Sequence, residues 1–128
     1  MNSLPIRKED LDKYRNDAEI VHKTALQIIK DFAQFSFDIS FPVDLNIAYI
    51  NLFEQLSPAI KDLLNTNITK LYSLLYCIDL NENNIKNGMK DMVDVPLHEV
   101  ITHLVLEREL KKVITRDYFN KNSSALEI

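Results

Sequence analysis

Residues 95–119 read V-P-L-H-E-V-I-T-H-L-V-L-E-R-E-L-K-K-V-I-T-R-D-Y-F, and the reading of this stretch decides the fold. Pro96 suits the first position of a helix, and no glycine or proline follows it as far as Phe119. Across residues 100–106 only Thr102 and His103 interrupt the apolar side chains. A helix that is apolar on nearly every side is enclosed by neighbours. The first half is therefore expected at the centre of the molecule, with Leu104 almost fully buried. Beyond Leu106 the apolar set narrows to Leu110, Val113, Ile114 and Tyr118, the pattern of a helix along an edge.

A second long helix is expected near the start of the chain. Leu11, Tyr14, Ala18, Val21, Ala25, Ile28, Phe32 and Phe35 recur at alternating spacings of three and four, one stripe on one helix face. The stripe predicts a helix over about 7–34. Residues 35–41, F-S-F-D-I-S-F, alternate with period two, but no second alternating segment exists to pair with them. The expectation is an extended connector whose aromatics plug the end of the core, with Phe37 and Phe41 available as an apolar patch.

Shorter helices fill the interval. Pro42 and Asp44 open one over about 43–56, Ser57-Pro58 breaks it, and a new helix is expected over 58–65. Asn65 to Asn67 is turn chemistry, and the next helix covers 68–78, with Leu71, Leu74, Leu75 and Ile78 inward. Asp79 and Glu82 have capping-box spacing for a short helix over 80–86, which Gly88 would end. The tail beyond Phe119 has no sustained pattern and reads as flexible, as do residues 1–6. The fold class is all-α: an irregular antiparallel bundle of five or six helices in one domain, long at the chain ends and shorter between.

Composition agrees with that class. One glycine among 128 residues leaves few of the tight turns and bulges that sheets require. The net charge of −4 offers neither a nucleic-acid footprint nor a cationic membrane face. A single cysteine forms no internal disulfide, and no apolar run approaches the ~20 residues of a spanning helix. A cytoplasmic protein is the expectation, without nucleic acid, membrane or cofactor. Eleven lysines against four arginines, with twelve asparagines, fit an AT-rich bacterial genome.

Catalytic patterns fail on spacing. His98-Glu99 and His103 resemble a zinc-protease helix, but histidines five apart point about 140° away from each other. Glu19 and His22 have the Glu-x-x-His spacing of di-metal bundles, without the second copy such a site needs. Glu99, His103 and Glu107 share a helix face, which reads as a surface histidine between carboxylates rather than a metal site. Cys77 has no neighbouring base and reads as a small hydrophobe. Arg108 and Arg116, with Glu107, Glu109 and Asp117, read as a surface ion-pair network. One glycine excludes phosphate-binding loops and nucleophile elbows.

Two functions follow as expectations. The first is a non-catalytic protein-interaction or self-association module, a homodimer using the apolar stripe and the aromatics Phe37 and Phe41. The second is a small-molecule or metal site inside the bundle near His103, lined also by Tyr72, Tyr76 and Cys77.

Overall fold

The structure is a computed structural model that describes the backbone of residues 8–126 and the side chains of 9–121. Six α-helices follow in order among the described residues: α1 (Lys8–Tyr14), α2 (Ala18–Ala33), α3 (Ala48–Thr66), α4 (Ile68–Ile78), α5 (Glu82–Asp91) and α6 (Leu97–Leu126). A short 3-10 turn, Leu45–Ile47, precedes α3. The molecule is an all-α helical bundle, and α6 touches each of the other five helices. The expectations for residues 1–6 lie outside the described residues.

The long first stripe is divided. Asp17 is extended (φ −87°, ψ 110°), and its carboxylate accepts the N–H groups of Glu19 (3.0 Å) and Ile20 (3.2 Å). A helix N-terminus leaves N–H groups without carbonyl partners, and an aspartate in this position satisfies them. The apolar period survives the break, since Leu11 and Val21 are both buried, while Ala18 in the first turn of α2 is exposed. Periodicity alone therefore merged two helices into one.

The opposite error occurs at Ser57-Pro58, where α3 runs through unbroken. Proline removes one helical N–H, and the carbonyl four residues back loses its donor. Pro58 is exposed, so water can serve that carbonyl, while Leu56 and Ile60 on the inner face are fully buried and hold the helix together. At 19 residues α3 is longer than α2, so the middle helices are not uniformly short. The helix over 68–78 falls where the sequence places it.

α5 is capped by Asn81 and Asn84, each side chain accepting the other's backbone N–H at 2.9 Å, rather than by Asp79 and Glu82. Asp79 instead ends α4 in the left-handed region, at φ 69°. Ser36 and Asp94 adopt the same conformation, a role that glycine-rich chains give to glycine. The one glycine works elsewhere. Gly88 is buried inside α5 and does not end it; a Cβ there would stand 2.9 Å from Leu104 Cδ1 and 3.2 Å from Val100 Cγ1. Its bareness lets α5 lie close against α6.

α6 starts after Pro96, whose carbonyl accepts from the N–H of Val100 at 3.0 Å. Its backbone continues helically to Leu126, past the end that the sequence suggests at Phe119. The first half joins the main core through Ile101, Val105 and Leu106, against Phe32, Leu52, Leu56, Leu71, Leu74 and Ile78 among others. Leu104 is only half-buried, because the side it faces is covered by the short, polar α5. The second half contributes Leu110, Val113 and Ile114 to a smaller cluster with Leu11 and Ile20. Tyr49 packs against both clusters.

Candidate functional site

A connector without helix or strand spans 37–42, shorter at its start than the alternation over 35–41 suggests, because Phe35 and Ser36 belong to the turn that ends α2; no strand occurs among the described residues. Its path is fixed. The Gln55 side chain accepts from the Ser40 N–H (2.8 Å) and donates to the Ser40 carbonyl (2.9 Å), as a neighbouring strand would. Asn51 Oδ1 accepts from Gln55 Nε2 at 2.8 Å and orients that amide. Ile39 is buried beneath, and Phe37 packs half-buried on the main core, edge-on to Phe32 and under the Lys70 ammonium 5.1 Å away.

Phe41 therefore leaves the connector from an anchored position. It meets the His22 ring of α2 at 4.9 Å and stays exposed. Leu26 lies one turn beyond His22 on the same face of α2 and is half exposed. After Pro42, Asp44 caps the 3-10 turn by accepting from the Asn46 N–H at 2.9 Å. That turn packs on both α2 and α3. It sends Ala48 and Leu52 inward and leaves Val43, Ile47 and Ile50 in solvent. Phe41, Val43, Ile47 and Ile50 thus stand exposed along the segment that joins α2 to α3 and the first turn of α3, and Leu26 is exposed on α2, where it also borders Val113 and Arg116 of α6. Of these the sequence singled out only Phe41. Ile47 and Ile50 were legible as apolar residues off the inner face of their helix.

The residues expected to line an internal site lie outside the core. Tyr72 and Tyr76 are exposed on one face of α4, in line with exposed Ile68. Cys77 is exposed as well, not a buried hydrophobe, because the inner face of α4 is already filled by Leu71, Leu74, Leu75 and Ile78. His103 is exposed and stacks on the Phe53 ring at 4.7 Å. It borders an open groove of about 1330 Å³ along α5 and α6, whose walls include Asn84, Asn87, Arg108, Lys112 and Arg116. Tyr72, Tyr76 and Cys77 do not line that groove. Glu107 pairs with Lys111, and Glu99 lies 3.8 Å from His98 Nε2. Among the described residues no group of three or more histidine, cysteine or acidic side chains is placed to hold a metal ion.

The expected Arg108–Arg116 network is redistributed. Arg108 reaches Asp79 on α4's end (3.1 Å), and Arg116 donates to Gln27 Oε1 on α2 (2.9 Å). Asp117 pairs with Lys23 of α2 at 2.8 Å and with Lys121 at 3.0 Å, and these ammonium groups hold its carboxyl below the ordinary aspartate value. Glu109 is not on the surface. It is fully buried between α6 and α2, beside Asp31, which is itself 7 % exposed. Lys112 Nζ sits 3.1 Å from Asp31 Oδ2 and 3.3 Å from Glu109 Oε1. Gln27 Nε2 donates to the other Asp31 oxygen at 2.9 Å. Apart from that ion pair with Lys112, neither Glu109 oxygen has a well-formed hydrogen bond among the described residues. Burial first, then the neighbouring Asp31, pushes the Glu109 carboxyl up to about 8, against the pull of Lys112.

Among the described residues no helix is long and apolar enough to cross a membrane. Comparison with known protein families, with curated proteins and with solved structures finds no match to this chain.

Proposed function

We propose that this chain is a non-catalytic protein-interaction module that self-associates as a homodimer through the α2–α3 corner. The observation that carries the reading is the close succession of exposed Phe41, Val43, Ile47 and Ile50 in the segment between α2 and α3 and the first turn of α3, which Gln55 and Asp44 anchor. Apolar side chains scattered singly over a surface are ordinary, whereas several gathered on one side mark interaction sites. An anchored corner also gives up little conformational freedom on binding. Sedimentation at micromolar concentration tests the reading. The chain is expected as a dimer, and Ile47→Glu with Ile50→Glu is expected to leave a monomer of unchanged melting temperature. A monomeric parent chain, or a double variant that still dimerises, defeats it.

A second reading, small-molecule binding, has one observation in its favour: the α5–α6 groove bordered by His103, with asparagines on one wall and cations on the other. Concave sites with a few convergent polar groups are where small ligands bind. A thermal-shift screen comparing the parent chain with His103→Ala and Asn87→Ala tests it. A ligand whose stabilisation both substitutions abolish supports the groove, and ligand effects indifferent to both remove it.

A further inference from the structure

Asp31 and Glu109 lie in a boundary that holds the fold together, where α2 meets α6. Two carboxyls are buried there with one ammonium, Lys112, between them. Fully ionised, the trio carries an uncompensated negative charge out of water, which is strongly unfavourable. As carboxylates, Asp31 and Glu109 are both acceptors only and have no hydrogen to share. This explains why two oxygens with no surface exposure have nothing but the Lys112 ammonium, 3.3 Å from Oε1, on the donor side. With one proton added, the same juxtaposition becomes a carboxyl–carboxylate hydrogen bond, and the trio is neutral.

We propose that Asp31, Glu109 and Lys112 form a proton-dependent lock between α2 and α6, closed when the carboxyl pair holds one proton and loosened when that proton leaves. The proposal is independent of the interaction reading above. The groups that act on Glu109 are Asp31 from α2 and Lys112 from its own helix. Gln27 of α2, and Arg116 of α6 that donates to it, complete the polar chain. No charged side chain of α1, α3, α4 or α5 contributes to the displacement of its proton affinity among the described residues.

The direction follows from linkage. Glu109 has an ordinary value of 4.5 and lies at about 8 in the fold. Between these limits the unfolded chain has released the proton while the folded chain keeps it. Stability contributed by the lock is therefore complete below the lower value and falls as pH rises, levelling off above the upper one. One retained proton corresponds to a folding constant that falls about tenfold per pH unit within the window.

Urea unfolding of the full chain from pH 5 to 9.5, with Glu109→Gln alongside, tests the lock. Glutamine keeps the shape and cannot titrate. The expected result is a parent-chain slope steeper than that of Glu109→Gln by about one proton between pH 5.5 and 7.5, with the variant the more stable of the two at pH 9. Equal slopes overturn the proposal. Should the variant fail to fold, carboxyl carbon NMR of the parent chain decides. One glutamate carboxyl moving between pH 7 and 9 upholds the lock, and all glutamate carboxyls titrating below pH 6 overturns it.

Discussion

The two halves of α6 pack against the same protein with different chemistry. The first half sets Ile101, Val105 and Leu106 into a core built from aliphatic and aromatic side chains of α2, α3 and α4. The second half sets Leu110, Val113 and Ile114 into a smaller cluster, and on a neighbouring face it buries Glu109 against Asp31. Apolar burial is nearly indifferent to pH, being set by the area removed from water. A buried ionisable cluster is conditional, because its contribution changes with protonation and with the loss of any one member. The bundle thus has an unconditional half and a conditional half along a single helix.

Adjacent residues of α2 separate the two. Phe32 is fully buried in the main core, and Asp31 faces the ionisable cluster. Phe32→Ala removes the largest fully buried side chain among the described residues and should cost about 3–5 kcal/mol, from lost transfer energy and the cavity left behind. Urea midpoints at pH 6 and pH 8.5 should give the same cost. A cost that differs plainly between the two would mean that the halves are not separable.

Lys112→Met should show the other behaviour. It keeps the apolar stem and removes the ammonium that contacts both carboxyls. Buried acceptors left without their partner cost about 1–3 kcal/mol, and Lys112 is partly exposed, which places the effect toward the lower end. Without Lys112 the Glu109 carboxyl is pushed up further, since that ammonium is what pulls it down. The penalty should therefore grow from pH 6 to pH 9. Unfolding curves across that range check it, and a penalty that shrinks with pH would reverse the assignment of charge.

The sequence was more informative about the unconditional half. Its helices were legible because apolar side chains at spacings of three and four have one physical reading. The same method misjudged boundaries wherever a local device decided them. Asp17 caps α2 without disturbing the stripe, and Pro58 sits on the exposed face of α3, where it breaks nothing. Gly88 reads as a terminator by composition and is a contact residue by position. The conditional half was hidden because a glutamate between Arg108 and Leu110 looks like surface. The signal was present: Glu109 falls three or four residues from Val105, Leu106 and Val113, on the stripe that becomes buried. The exposed corner was hidden for the converse reason. Which apolar residues are left over depends on how many neighbours the bundle supplies, and that is a tertiary quantity.

The contact between α5 and the first half of α6 gives the smallest and sharpest test. Leu104 is half-buried there, so Leu104→Ala should cost about 1–2 kcal/mol, less than the 2–5 of a fully enclosed leucine. Gly88→Ala brings two opposed effects of similar size. Alanine in a helix interior is favoured over glycine by about 1 kcal/mol. Its Cβ would also press on Leu104 Cδ1 at 2.9 Å and Val100 Cγ1 at 3.2 Å. The Leu104 methyl can swing toward solvent, whereas Val100 is buried and β-branched and cannot. The net effect should be destabilising by less than about 1 kcal/mol. Combined with Leu104→Ala the closest clash disappears, and Gly88→Ala should become neutral or stabilising. Such a change of sign is a coupling that only direct contact produces. A double-mutant cycle by urea unfolding reads it. Additive effects would mean that α5 stands further from α6, and that the first half of α6 is less fully enclosed than its apolar pattern implies.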